Sequence, residues 1–380
     1  MPSIIEQSNQ DVIWRSLTGQ TVSVPNLAKL LPSWAFKIHP EYERARNDFL
    51  NPWIRRWVDD SLTSRKLQKA EFGVFAAVLC SDAPFDRFVT VAKYFAWYYI
   101  WDDIFDCGAL QGSSDSEVSA YRQASMQYIQ YQLLPEHECP DLSVYSSQLQ
   151  NALVCWEEVG KHIREVCSHN TRMILSKAML EYMEAVGDAN ALFDNGKFPS
   201  LEAYWARRDY AAGIYPGIAT IPFVYGVDIT PADVSNIQMK ELWKSTSYLV
   251  HISNDIISLR KELSDGQIEN LVPVIMLNES ITINEAMQES YKYAKDNVAG
   301  METAARNLQS ALGGTPRDQA VVAAFTQGCR DLAAGLIHWS YSGQRYFKSA
   351  ELDADKVLHF QINRRLSGPV VASGAIPVQG

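Results

Sequence analysis

Apolar residues return every three or four positions from about residue 41 to residue 366. That is the period of helices that bury one face. The runs that carry it are 41–61, 67–80, 85–106, 117–132, 145–168, 171–190, 233–263, 283–312, 315–337 and 338–348. No series of alternating runs joined by Asn-Gly or Asp-Gly turns accompanies them, and no internal repeat is present, so the pattern predicts an all-α fold. Residues 1–40 are mixed and broken by Pro25, Pro32 and Pro40, which predicts an irregular arm over the core. Residues 41–366 then form a single helical domain. Residues 367–380 hold Pro369, Gly374, Pro377 and Gly380 and no charge, and are expected to be a flexible tail. One helical stretch is interrupted. Residues 200–226 carry Gly213, Pro216 and Gly217 at their middle, and proline in a helix interior removes a hydrogen bond. Two readings stay open there: an ordinary loop, or a break that turns backbone groups into a pocket.

Composition allows a large core. Of 380 residues 47% are apolar and 21% charged, and 10 Trp, 18 Tyr and 14 Phe make the chain rich in aromatics. A formal charge of -10 excludes a broad basic face for nucleic acid. It does not exclude an anion held through metal ions. Cys80, Cys107, Cys139, Cys155, Cys167 and Cys329 form no C-x-x-C pair, and no two histidines have zinc spacing. They read as buried free thiols in a reducing compartment such as the cytoplasm. The first residues lack the apolar core of a signal peptide and the arginines of a transit peptide. No run of 18 apolar residues occurs, so no membrane span is expected.

Two acidic clusters change the picture. Asp102, Asp103 and Asp106 read D-D-x-x-D at the end of a stripe formed by Phe88, Ala92, Phe95 and Tyr99. The carboxylates extend the core-facing side of that helix. Acids at a helix C-terminus oppose its dipole, and no Lys or Arg stands four residues on to neutralise them. Uncompensated carboxylates there are costly. A hard cation that prefers oxygen and shares its shell with phosphates, such as magnesium, answers that need. The alternative is a solvated, frayed helix end. The second cluster, Asn254-Asp255-Ile256-Ile257-Ser258-Leu259-Arg260-Lys261-Glu262, spaces Asn254, Ser258 and Glu262 at i, i+4 and i+8. They stack on one face over two turns and offer three kinds of oxygen ligand, with Lys261 within reach of a phosphate. Alone it would read as a polar helix face. With the first cluster, it points to magnesium-dependent chemistry on a diphosphate.

With these motifs in this order, the chain resembles the class I terpene synthases, most closely the fungal-type sesquiterpene cyclases, over most of residues 45–350. DDIFD at 102–106 is similar to that family's aspartate-rich motif, and NDIISLRKE at 254–262 to its second metal motif. Arg208 in WARRDYAAG stands where the family has its diphosphate-sensing arginine, with Arg207 as the neighbouring candidate. Arg345-Tyr346 matches a late Arg-Tyr pair. The family often has glycine four residues after the sensor arginine, where this chain has Ala212.

The resemblance implies a helical bundle around a deep apolar cavity with three magnesium ions at its mouth. Asp102, Asp103 and Asp106 would serve on one side, and Asn254, Ser258 and Glu262 on the other. Arg208, Lys261, Arg345 and Tyr346 would bind the diphosphate, with Asp102, Arg208, Arg345 and Tyr346 as the catalytic set. The substrate would be a linear prenyl diphosphate, foremost farnesyl diphosphate, cyclised to a sesquiterpene hydrocarbon or alcohol in isoprenoid secondary metabolism. Phe95, Tyr98, Tyr99 and Trp339 are candidate cavity walls. His251 and His338 read as structural histidines, which leaves the released diphosphate to take the final proton. A prenyl-chain elongating synthase is the nearest rival, but it should carry a second D-D-x-x-D. A head-to-head coupling enzyme would need NADPH-binding features that are absent. A non-catalytic helical scaffold is the rival of another class. The sequence leaves open whether the protein works as a monomer or a homodimer.

Overall fold

The computed structural model describes residues 12–106, 109–110, 112–187, 198–312 and 314–363. It is an all-α bundle with one small sheet. A short helix α1 (12–17) and strand β1 (Thr21–Val24) precede the bundle. The helices then run as α2 (Tyr42–Arg44), a π-turn segment (Ala45–Leu50), α3 (Asn51–Trp57), α4 (Ser61–Lys69), α5 (Phe72–Leu79) and α6 (Phe85–Asp106). Next come α7 (Asp115–Leu133), α8 (Ser147–Val154), α9 (Glu157–Val166), α10 (His169–Gly187), α11 (Leu201–Ala211), α12 (Ile214–Ala219), α13 (Ile221–Tyr225) and α14 (Pro231–Ser235). The long helices α15 (Ile237–Ser264), α17 (Ile283–Leu312) and α18 (Pro316–Ser342), with α16 (Leu271–Glu279), complete the bundle, and strand β2 (Leu358–Gln361) comes after them.

α5 reads FGVFAAVL, apolar on every side, and every one of its residues is buried. A helix hydrophobic all round belongs at the centre of a fold, and α5 packs there between α6 and α18. α15 lies along α17 and against α18. Helix starts carry their own signals. Ser114 and Glu117 form a capping box at α7, Asn236 caps α15, and Thr315 accepts from the Asp318 amide ahead of Pro316 at α18. α18 is long and apolar enough to cross a membrane, yet most of it is buried inside the bundle. It serves as a core helix.

Several boundaries differ from the periodicity, each for a local reason. The run 41–61 breaks after Trp57, because Asp60 accepts from the Thr63 amide and starts α4. The run 145–168 divides at Cys155 and Trp156. α16 carries no long periodic run. Asn270 caps it, and Pro273 stands in the first turn, where a missing N–H costs nothing. The runs 315–337 and 338–348 are one helix to Ser342, after which the chain is irregular. The stretch ahead of residue 41 is more ordered than its prolines imply. β1 pairs antiparallel with β2, Thr21 opposite Gln361 and Val24 opposite Leu358, and Val22 and Val24 are buried. Each strand is four residues long and its partner is at the other end of the chain, so neither gives a hairpin signal. Cys80, Cys155 and Cys329 are buried free thiols, Cys167 is partly buried, and Cys139 is exposed. Cys107, the tail 367–380 and the side chain of Asp106 lie outside the described residues.

Candidate active site

A cavity of about 720 Å³ opens between α6, α10, α11, α12, α15 and the segment after α18. α6 sends Phe95, Tyr98, Tyr99 and Asp102 into it, spaced three or four apart as one helical stripe requires. α15 supplies Val250, His251, Asn254, Ser258, Lys261 and Glu262. Arg207 and Arg208 enter from α11, and Arg345 and Tyr346 from the segment after α18. Asp102 of the first cluster therefore shares one cavity with Asn254, Ser258 and Glu262 of the second. Asp103, half-buried beside it, feels the positive charges of Arg345, on the late segment, and of Lys261, on α15. Burial acts against those charges and raises the Asp103 pKa overall.

Arg208 ties the walls together. Its Nη2 donates to Asn254 Oδ1 at 3.1 Å and to Asp255 Oδ1 at 2.7 Å. It also lies in the field of Glu262 and Asp102. Burial lowers its pKa below the usual arginine value. Burial and then the charge of Arg208 bring Arg207 down to about 10, so Arg207 remains cationic at neutral pH. Arg207 pairs instead with Glu269 in the loop before α16. Asp255 is 1% exposed and accepts from Arg208, the Leu271 amide and Tyr204 Oη. It anchors Arg208 and α16 at once, a role that its place next to Asn254 did not disclose.

The second cluster is partly engaged within the protein. Asn254 Nδ2 donates to Tyr346 Oη at 3.0 Å, Glu262 Oε2 accepts from Asn270 Nδ2 at 2.8 Å, and Lys261 Nζ pairs with Asp265 at 2.9 Å. Ser258 Oγ is different: it is buried, lines the cavity and has no hydrogen-bond partner among the described residues. An orphaned buried hydroxyl flanked at four-residue steps by an amide oxygen and a carboxylate fits a hard cation. Among the described residues no three His, Cys, Asp or Glu side chains gather closely enough to hold an ion by themselves. A metal here would draw on Asn254, Ser258 and phosphate oxygens as well as carboxylates.

The interruption at 200–226 forms part of the wall. α11 ends at Ala211, and Ala212 is right-handed and unstrained, while Gly213 takes the left-handed conformation at φ 71°. A Cβ on Gly213 would sit 3.1 Å from the Tyr182 ring and 3.4 Å from Tyr98. The glycine requirement thus falls at 213 rather than 212. Ala212, Gly213, Ile214 and Gly217 all line the cavity.

Two expectations need correction. Trp339 does not line the cavity. It is fully buried behind Tyr99 and Phe75, with ring centroids 5.8 and 6.0 Å away, and its indole donates to the Ala70 carbonyl. Phe75, from the central helix, stands in the wall instead. His251 is not simply structural. It lines the cavity, is fully buried, and neither ring nitrogen has a hydrogen-bond partner among the described residues. Burial, reinforced by Arg208, pushes its pKa well below 6.5, so the imidazole is neutral. His338, by contrast, packs at a tilt against Phe36, ring centroids 4.7 Å apart, and does not line the cavity.

An all-α bundle with acidic and amide side chains lining one cavity is the architecture of a class I terpene synthase. Residues 93–299 match the family model described as terpene synthase family 2, C-terminal metal binding. The chain belongs to this family, as a terpene synthase of the fungal sesquiterpene-cyclase type. The matched span holds both acidic clusters and Arg208, and Arg345 and Tyr346 lie beyond it. Sesquiterpene cyclase hepA of Aspergillus oryzae is 24% identical over 338 residues, 87% of this chain and 90% of that protein. Silphinene synthase peniA of Penicillium patulum is 26% identical over 349 residues, 90% of each. Among solved structures, a single-residue variant of cucumene synthase superposes with a TM-score of 0.69 at 18% identity, covering 81% of this chain and 98% of that one. α-Eudesmol synthase gives 0.69 at 16% identity, covering 82% and 97%. At these identities the structures speak for the fold alone.

Proposed function

We propose that this chain ionises and cyclises a linear prenyl diphosphate, with farnesyl diphosphate the favoured substrate, to a cyclic sesquiterpene hydrocarbon or alcohol. The observation that carries the reading is the single cavity shared by Asp102, by Asn254, Ser258 and Glu262, and by the cations Arg208, Lys261 and Arg345. The relatives named sesquiterpene cyclase and silphinene synthase support the same chemistry. Asp102, with Asp103 and Asp106 of the same sequence motif, and the Asn254, Ser258 and Glu262 set would hold magnesium, three ions in the family's pattern. When bound, magnesium supplies Lewis-acid neutralisation of the diphosphate leaving group.

The protein's own groups do the rest. Arg208 would exchange its bonds to Asn254 and Asp255 for diphosphate oxygens, which frees the Asn254 amide oxygen. Lys261 and Arg345 add charge, and Tyr346 adds a hydroxyl donor. Departure of the diphosphate leaves an allylic cation that bulk water would quench. Phe75, Phe95 and Leu336 exclude water from the interior. The faces of Phe95 and Tyr98 stabilise migrating charge by up to about 2 kcal/mol where desolvated, while the Tyr99 ring stacks on Phe72 and carries the Arg345 guanidinium 4.4 Å from its centroid. The released diphosphate, still held by Arg208 and Arg345, accepts the final proton.

Incubating purified protein with magnesium and farnesyl diphosphate alone, followed by mass spectrometry of the volatiles, tests this. Cyclic products of one fifteen-carbon unit are expected. A requirement for isopentenyl diphosphate would instead indicate a chain-elongating synthase. Asp102→Ala and Asn254→Ala should each lower turnover roughly 10³-fold or more, with melting temperatures within a few degrees of the parent. Undiminished turnover in either variant would remove the basis of the proposal.

A further inference from the structure

Arg345 and Tyr346 reach the cavity from a segment with no regular structure of its own. α18 stops at Ser342, and Gly343 turns the chain away in an extended conformation (ψ 173°). A Cβ at 343 would meet the carbonyls of Ala70 and Trp339 at 3.1 Å, so the turn is tightly seated. Beyond Tyr346 the chain makes a 3-10 turn at Ser349–Glu351 before reaching β2. A segment with so few backbone bonds is where local opening is cheapest. Yet any diphosphate contact through Arg345 requires that opening to be suppressed.

One residue of α15 holds this segment by its backbone as well as by a side chain. Arg260 lies two positions after Ser258 and two before Glu262, but it does not line the cavity. Its Nη1 donates to Glu351 Oε1 at 2.8 Å, and its Nη2 donates to Glu351 Oε2 at 3.1 Å. Nη2 also donates to the Tyr346 carbonyl at 2.8 Å. Glu351 accepts a further bond from the Lys348 amide at 2.6 Å. The Arg260 bonds, then that of Lys348, hold the Glu351 carboxyl at about 2, so it is ionised at any working pH. The contact is a two-pronged arginine–carboxylate fork, which fixes direction as well as distance. The fold does not depend on it to close the chain end, because the Leu352–Leu358 bridge and the β1–β2 pairing anchor residues 352–361 independently.

We propose that Arg260 and Glu351 form a latch that seats Arg345 and Tyr346 against the helix carrying Asn254, Ser258 and Glu262. Arg260 is then a positioning residue for diphosphate recognition, acting through a pair it holds by the backbone. This inference rests on the function proposed above for Arg345 and Tyr346. It joins the late Arg-Tyr pair and the second oxygen-rich cluster into one rigid unit, since Asn254 Nδ2 also grips Tyr346 Oη.

The test uses the full-length protein with Arg260→Ala, Arg260→Lys, Glu351→Gln and Arg345→Ala. Hydrogen exchange is read first, without substrate. Faster exchange confined to 343–351 in Arg260→Ala and Glu351→Gln is expected, and unchanged exchange there overturns the latch whether or not the protein proves to be a cyclase. The melting shift given by magnesium plus inorganic pyrophosphate should shrink in Arg260→Ala. With farnesyl diphosphate, kcat/KM should fall about tenfold in Arg260→Ala, the size of a lost charge-assisted contact, and less in Glu351→Gln, which keeps the bond to Tyr346. Arg260→Lys should recover part of the loss. Adding Arg260→Ala to Arg345→Ala should cost less than about twofold more, because residues that act as a unit are not additive. Full multiplication of the two losses would contradict action through Arg345. Should Arg260→Ala fail to fold, Glu351→Gln alone carries the exchange measurement. If the parent turns over no prenyl diphosphate, the proposed function fails while the exchange result still decides the latch.

Discussion

Among single residues, the two adjacent arginines show best what a structure adds. Sequence spacing favours Arg208 over Arg207 as the diphosphate sensor but leaves both available. In the fold they part company: Arg208 holds Asn254 and the buried Asp255, whereas Arg207 pairs with Glu269 in a loop. Lysine cannot span two acceptors from one planar group. Arg208→Lys should therefore lower kcat/KM roughly 100-fold, the scale of a weakened buried charge contact, and Arg207→Lys by no more than about threefold. Steady-state kinetics on both variants checks this, and the reverse ranking would assign the sensor to Arg207. The chemistry-bearing residues were legible because they are polar where the period demands apolar: Asp102 on the α6 stripe, and Asn254, Ser258 and Glu262 on that of α15. Asp255 was not, since an acid next to a motif looks like part of it. Nor was Arg260, whose partner stands 91 positions away.

For whole elements, the long helices could be read from the sequence and the short joints could not. α6, α15 and α17 have periodic runs long enough to outvote local exceptions. The break at Gly213 and the turn at Gly343 depend on which ring or carbonyl stands opposite, and that is tertiary information. Trp339 failed as a cavity candidate for the same reason, since a helix shows only a face and not how many layers lie behind it. α18 also carries a buried acid, Asp331, 4% exposed. Burial raises its pKa to about 6, although it accepts from Tyr225 Oη and Gln327 Nε2, each at 2.9 Å. A carboxyl raised above its unfolded value of 3.8 binds more protons in the folded state. It therefore withdraws stability as pH rises from about 4 through about 6, and the loss is complete above that. The cost at neutral pH is about 2–3 kcal/mol. Asp331→Asn keeps an acceptor for Tyr225 and carries no charge. Its melting temperature should exceed the parent's by about 2–4 °C at pH 7.5, with the gain roughly halved at pH 5. A variant less stable than the parent at pH 7.5 would show that the carboxylate is well satisfied in its ionised form.

At the scale of the whole molecule, the site depends on convergence. A greasy bundle brings the oxygen-rich faces of α6 and α15 to one opening, and α11 and the segment after α18 carry arginines to the same place. Periodicity predicted the helices and spacing singled out their polar faces, but only the packing makes those faces meet. The most direct test is anomalous diffraction from crystals grown with manganese and inorganic pyrophosphate, with manganese standing in for magnesium. Peaks about 2.1 Å from the carboxylate of Asp102 and from oxygens of Asn254, Ser258 and Glu262, with the pyrophosphate between them and within hydrogen-bond reach of Arg208 and Arg345, are the predicted result. Pyrophosphate bound with no metal between the two helices, or metal bound at only one of them, would contradict it.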